Sequence, residues 1–276
     1  MTANLIKAGH TVIGYDISAD AVRRFTAAGG KALVSIEEVI RGAPVVITSL
    51  PTVKAFETVF AAIARVAGAD VVVIDTCTMP LETKTAALAL FEGTSVRMLD
   101  CPVSGTGAQA VTKDLVVFGS GDADAFEKAR PVLEGISRKQ VYLGDFGRGS
   151  SMKFIANLLV NIHNVAAAEA ITLGIKAGID PATVVETLQD SAATSRMFQM
   201  RGPLMVQNRY DEPSARISLH MKDLGIITGF AEQLHCPVPL FTTATQLYHA
   251  AMSQGLEGED TAAVCRVLES MAGIKR

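Results

Sequence analysis

Residues 1–16 read MTANLIKAGHTVIGYD. The two halves of this stretch differ in character. MTANLIKAG has the make-up of the back half of a helix, and it closes on Gly9, a residue that suits a helix C-terminus. TVIGY is a β-branched and aromatic run that reads as a strand, and it closes on Asp16. A parallel βαβ unit begins with a strand, turns, and only then enters its helix. Here the chain is already inside the helix at Met1, so the stretch predicts an α/β fold entered part-way through its first unit.

The pattern continues outward. Short β-branched runs fall at residues 11–16, 31–34, 44–50, 70–75, 96–101, 114–120 and 140–144, with amphipathic stretches between them at 19–28, 35–41, 53–66, 81–91 and 123–133. Continuous apolar strands interleaved with helices predict a parallel sheet covered on both faces, with ligands at the carboxyl ends of its strands. After Gly144 the strand signal stops. GDFGRGSS (144–151) is a glycine-rich joint, and helices are expected over 150–177, 181–190, 219–235, 240–254 and 259–272. Gly178 suits the end of the first of these, and Asp180-Pro181 the start of the second. The expected organisation is an α/β domain over residues 1–146 and an all-helical domain over 147–276, with the cleft between unlike domains as a favoured ligand site.

Composition narrows the function. The chain has 276 residues, 49% of them apolar, enough for one or two sizeable cores. A net charge of −3 shows no bias toward nucleic acid or an anionic membrane. Cys77, Cys101, Cys236 and Cys265 form no C-x-x-C pair, which argues against a zinc site or a disulfide framework and fits a reducing cytoplasm. No secretory signal pattern opens the chain. The apolar run 154–171 carries Asn157, Asn161, His163, Asn164 and Glu169, which would be costly in hydrocarbon, so it reads as a helix buried in protein.

Several short stretches could carry chemistry. Asp16 at a strand end could accept hydrogen bonds from adenosine ribose hydroxyls, or could cap the helix that follows. Leu50-Pro51-Thr52 and residues 75–78, DTCT, each follow an apolar strand and would be either cofactor-lining or ordinary turns. In DCPVSGTGAQA (100–110) a strand ends, Pro102 prevents its simple continuation, and Ser104, Gly105 and Thr106 expose hydroxyls and backbone N–H groups together. Such a loop can hold a carboxylate without a basic side chain, or can be a plain glycine turn. In GRGSSMKFIAN (147–157), Lys153 and Asn157 are four apart and share a helix face. A lysine on so apolar a helix lies at the surface, in a cleft, or buried, where its pKa can be poised for proton transfer. Lys222-Asp223 sits in HMKDL (220–224), where it could be a solvated charge pair.

Taken in order, NLIKAGHTVIGYD, LPT, DTCT, DCPVSG, G-x-G-x-x-x-K-x-x-x-N and KDL resemble the β-hydroxyacid dehydrogenase family, whose members include 3-hydroxyisobutyrate dehydrogenase, tartronate semialdehyde reductase and relatives of 6-phosphogluconate dehydrogenase. The resemblance runs the length of the chain. It implies a Rossmann-type doubly wound sheet followed by an all-α domain, a cytoplasmic homodimer or homotetramer, and hydride transfer between NAD(H), with NADP possible, and a small 3-hydroxy acid or its semialdehyde. It assigns cofactor contacts to Asp16, Leu50, Pro51, Thr78, Lys222 and Asp223. The substrate carboxylate falls to Ser104, Gly105 and Thr106, catalysis to Lys153, and substrate orientation to Asn157. Neither a metal, a nucleic acid nor a membrane is implied.

The sequence also departs from the family. Ala156 stands where a first asparagine is common, Thr106 replaces a second glycine, residues 113–115 read KDL in place of Gly-Thr-Leu, and Pro80 comes one place early. Family members begin with a strand and G-x-G-x-x-G, and Met1 aligns inside the helix after it. The sheet is therefore expected to lack its first strand, about 15–20 residues, with its phosphate-binding turn. A start placed too late or a cut chain is the expected cause, and natural truncation with weak or no cofactor binding the alternative. Two rival functions follow, a non-catalytic dehydrogenase-like scaffold and a truncated inactive form. Arg196, Phe198 and Met200 fall in a region suited to substrate selection, and are equally placed to be packing or surface residues.

Overall fold

The computed structural model describes residues 1–66, 68 and 70–276. The chain divides into two compact units, Met1–Lys153 and Phe154–Arg276.

The first unit runs α1 (Thr2–Lys7), β1 (Ile13–Gly14), α2 (Ala19–Ala27), β2 (Lys31–Ala32), α3 (Ile36–Gly42), β3 (Val45–Thr48), α4 (Val53–Val66), β4 (Val72–Asp75), α5 (Leu81–Ala89), β5 (Arg97–Asp100), β6 (Val103–Ser104), α6 (Gly107–Val111), β7 (Val116–Gly121), α7 (Ala123–Ile136) and β8 (Lys139–Tyr142). Ser18, Ser35 and Asp122 start α2, α3 and α7 by accepting a backbone N–H of the first turn. Strands β3, β4 and β5 are parallel and in register, Val45 to Val72 and Val72 to Arg97. Alternate strand residues serve opposite faces. Val71, Val73 and Met98 pack with Phe56, Phe60 and Ile63 of α4, while Val72, Ile74, Leu99 and Val117 pack with Phe126, Ala129 and Leu133 of α7. The sheet is thus covered on both sides.

Two expectations need correction. The sheet is mixed and not wholly parallel. The chain does not stop at Pro102 but continues as β6, with the Pro102 carbonyl accepting from Phe118 N at 3.0 Å. Both β5 and β6 pair antiparallel with β7, and β8 then returns parallel to β7 through α7. Residues 105–115 are too short a connection to carry the chain back for a parallel strand, which needs a crossover.

The sheet is also interrupted. β1 pairs with β2 alone, in a parallel sheet of their own, and the larger sheet begins at β3. Among the described residues, β1 and β3 each have one edge without a ladder partner.

Helix α8 (Arg148–Lys176) begins in the first unit, and the division falls within it. The second unit continues with α9 (Pro181–Leu188), α10 (Arg196–Gln207), α11 (Ile217–Gln233), α12 (Pro239–Ser253), a 3-10 turn (Thr261–Ala263) and α13 (Val264–Met271). α8 is long and apolar enough to cross a membrane. Its buried Asn161 and Asn164 nonetheless bond to other helices and turns of the unit: Asn161 Oδ1 meets His220 Nε2 at 3.3 Å, and Asn164 Nδ2 donates to the Tyr248 hydroxyl and to the Thr261 carbonyl. These polar contacts belong to a helix packed in protein.

Candidate active site

The carboxyl ends of β3 and β4 are tied to each other. Thr48 Oγ1 donates to Asp75 Oδ1 at 2.7 Å, and Thr76 Oγ1 donates to the Thr48 carbonyl at 2.6 Å. Leu50 N donates to Cys77 Sγ at 3.0 Å. The turn at Leu50-Pro51 and the turn leading to Thr78 are therefore held as one edge. Burial, aided by Asp75, pushes the Cys77 thiol far up, so it stays protonated. Thr52 accepts from Ala55 N at 3.2 Å and serves as a cap. Asp16 is exposed past the end of β1 and accepts from Ser18 N, while Ser18 itself caps α2. Ile17, next in the chain, and Val34, past the end of β2, are 92% and 81% exposed.

Ser104 lies on β6, opposite Val116 of β7. Its hydroxyl has no side-chain hydrogen bond among the described residues. Gly105 follows at φ +139°, where an added Cβ would also stand 2.5 Å from Leu115 Cδ2, so glycine is required. Thr106 forms a capping box with Gln109, its N–H donating to Gln109 Oε1 at 3.0 Å and its hydroxyl accepting from Gln109 N. That commits the Thr106 N–H to α6.

Beneath this edge lies a buried charged cluster whose two aspartates open the motifs DTCT and DCPVSG and whose lysine lies outside every motif. Lys84 of α5 is wholly buried and bridges Asp75 Oδ2 at 2.8 Å and Asp100 Oδ1 at 2.7 Å. Burial acts to lower the Lys84 pKa, and the two carboxylates outweigh it and raise it, so the amine stays charged. Asp100 also takes the start of α8. Ser150 N donates to Asp100 Oδ2 at 2.7 Å and Ser150 Oγ to Asp100 Oδ1 at 2.8 Å. Gly149 N donates to Ser120 Oγ at 2.9 Å. A Cβ at Gly149 would stand 2.3 Å from the Phe118 carbonyl oxygen and 2.6 Å from that of Asp100. The helix backbone thus lies directly against the strands. Lys153, at 9% exposure, follows Ser150 by three residues.

Asn157 comes one turn after Lys153 on α8. Within the second unit its Nδ2 donates to Asp223 Oδ2 at 3.0 Å, and Lys222 Nζ lies 3.1 Å from Asp223 Oδ1. The amide donor so engaged turns Asn157 Oδ1 into the available acceptor. Lys222 and Asp223 are thereby tied to the Asn157 side chain rather than standing as a solvated pair. Of the residues expected to bear on selectivity, Phe198 is buried in the helical core, Arg196 is exposed and Met200 is half-buried.

The comparisons with known proteins decide the family. Residues 1–144 match the model of the NAD binding domain of 6-phosphogluconate dehydrogenase, and residues 147–268 match that of the NAD-binding of NADP-dependent 3-hydroxyisobutyrate dehydrogenase. The chain belongs to the β-hydroxyacid dehydrogenase family. This dehydrogenase is 33% identical to the L-threonate dehydrogenase of Cupriavidus necator, over 96% of its own length and 90% of that protein's. It is 34% identical to the 3-hydroxyisobutyrate dehydrogenase of Pseudomonas aeruginosa, over 96% and 92%. A crystal structure of 3-hydroxyisobutyrate dehydrogenase from Salmonella typhimurium superposes with a TM-score of 0.86 at 28% identity, covering 96% of this chain and 94% of that one. The enzyme is an NAD(P)-dependent hydroxyacid dehydrogenase. Its residues suit that cofactor: the strand-end turns are fixed to each other, and an exposed carboxylate, Asp16, follows the end of β1.

The motifs missed Lys84, and Gly149 and Ser150 lie within GRGSSMKFIAN without a role having been assigned to them. A signal for Lys84 exists, because it falls at helical spacing from the buried Ala87 of α5 and from the buried Phe91 just beyond it. Two consecutive apolar strands that each end in aspartate, Asp75 and Asp100, are the complementary sign.

Proposed function

We propose that the enzyme oxidises the hydroxyl of a small 3-hydroxy acid, with Lys153 as the base that takes the hydroxyl proton. NAD(P), when bound, supplies the hydride acceptor. The Ser104 hydroxyl and the Gly105 N–H hold the substrate carboxylate by hydrogen bonds, without a basic side chain. Asn157 presents its Oδ1 to the substrate hydroxyl and keeps it in line with the amine. Lys222 and Asp223 keep the Asn157 amide turned that way, with Lys222 also toward the cofactor. Asp16 favours NAD over NADP, because a second negative charge at the ribose would meet its carboxylate. Leu50, Pro51 and Thr78 line the cofactor.

The observation that carries this reading is the near-complete burial of Lys153 one helical turn from Asn157, whose donor is engaged by Asp223. A lysine so placed has little use as a surface charge. The same observation weighs against a scaffold, which needs neither group. A panel of hydroxy acids tests the proposal, including 3-hydroxyisobutyrate, L-threonate and the matching alcohols without a carboxylate. Oxidation of at least one 3-hydroxy acid, and of none of the carboxylate-free alcohols, is expected. Equal turnover of the alcohols would refute the carboxylate grip.

A further inference from the structure

We infer that the buried cluster of Lys84, Asp75, Asp100 and Ser150 is a positioning device that sets the Lys153 amine. The inference rests on the proposed role of Lys153 as the base, but it concerns how that amine is held. Every residue in it belongs to the first unit.

A helix leaves its first backbone N–H groups without partners, and a side chain just before the helix usually supplies one. At α8 the sheet supplies them instead. The Ser120 hydroxyl at the end of β7 accepts Gly149 N, and the Asp100 carboxylate at the end of β5 accepts Ser150 N. The Ser150 hydroxyl adds a second bond to the same carboxylate. The helix start is therefore gripped at two consecutive residues by two adjacent strands. With no Cβ at Gly149, nothing separates backbone from backbone.

Asp100 is itself fixed. Its Oδ1 meets the Lys84 amine, which is also held by Asp75, and Asp75 Oδ1 accepts from Thr48 Oγ1 and from Cys77 N. The cluster carries three charges at full burial, a costly arrangement that well-packed apolar residues commonly match or exceed in stability. Stability alone is thus a weak account of it. Geometry is a better one. Lys84 joins β4 to β5, and Asp100 joins β5 to the turn of α8 that precedes Lys153. The chain from Asp100 also leads, through Pro102, to Ser104. One carboxylate therefore fixes the start of the helix that carries the base, and it sits four residues before the substrate serine in the chain.

The test uses Ser150→Ala, which deletes one hydroxyl and keeps the backbone bond, Ser150→Thr, which keeps the hydroxyl, and Asp100→Asn. Folding of each is verified by circular dichroism. In Ser150→Ala, kcat is expected to fall about tenfold with KM for the hydroxy acid little changed, as for a misplaced catalytic group. Ser150→Thr is expected to restore most of it. Independently of activity, the rate at which acetic anhydride acylates Lys153, read by peptide mass spectrometry against the other lysines, should change severalfold in Ser150→Ala and return in Ser150→Thr. An acylation rate at Lys153 unchanged in folded Ser150→Ala would overturn the inference, whatever turnover does, and so would an unchanged rate in folded Asp100→Asn. If Lys153→Ala keeps normal turnover while the acylation rate still responds to Ser150, the acid–base role fails and the positioning stands.

Discussion

At the scale of single residues, the site depends on groups whose hydrogen bonds leave one function over. Asn157 gives its Nδ2 to Asp223, and that fixes which end of the amide a substrate hydroxyl would meet. Asp223→Ala should therefore damage catalysis through Asn157 and not on its own account. In a double-mutant cycle with Asn157→Ala, the coupling on kcat/KM is expected to be about 1.5–3 kcal/mol, the range for a hydrogen bond to a charged partner. Additive effects of the two substitutions would separate Asp223 from the orientation of the amide. The sequence made Lys153, Asn157 and Asp223 visible because charged or amide side chains stand out on apolar helices. It could not show that Asn157 and Asp223 meet, since they lie on helices 66 residues apart. Nor did it show Thr106 closing a capping box, although Thr-Gly-Ala-Gln carries that spacing.

At the scale of elements, the parallel core was legible because β3 and β4 are β-branched runs, β5 sits in a short apolar run between turn signals, and α4 and α7 show clear apolar faces. The elements that escaped notice have contrary local signals. Helix α10 contains Pro203 and Gly202, which read as breakers, yet Ser195 caps its start by accepting Phe198 N at 3.0 Å, and Asn208 ends it at a left-handed φ of 49°. β6 hid behind Pro102, which lacks a donor but keeps its carbonyl in the ladder. The direction of β7 follows from loop length, a property of the connection and not of the strand. Helix α8 yields the clearest prediction at this scale. Gly149→Ala would drive a methyl into two strand carbonyls, and no flexible side chain is there to give way. A loss of at least about 2 kcal/mol in urea unfolding is expected. Stability equal to the parent would mean that the helix start does not lie against β5 and β7.

At the scale of the whole molecule, several buried groups are set to hold their protons into alkaline solution. Burial raises the thiols of Cys77 and Cys101 in the first unit, and it pushes Cys265 in the second up to about 12. Lys84 is raised as well, its two carboxylates overcoming the effect of burial. In the unfolded chain thiols ionise near ~8.5 and lysine near ~10.4. Between those values and the higher folded ones, the unfolded chain binds fewer protons, so stability falls as pH rises, by about 1.4 kcal/mol per pH unit for each group. Below about pH 8.5 these groups contribute a constant amount. The urea midpoint should accordingly drop between about pH 8 and about pH 10. A midpoint that holds or climbs over that interval would contradict the burial of these groups.

Catalysis as proposed stands on the Lys153 amine. Lys153→Ala, compared with the parent for oxidation of whichever 3-hydroxy acid the parent accepts, is the most direct measurement. A fall in kcat of about 10²–10⁴, with cofactor binding by calorimetry retained, is the outcome expected for loss of a positioned base. Turnover within the error of the parent enzyme would contradict it and leave Lys153 as a buried lysine without a role in the chemistry.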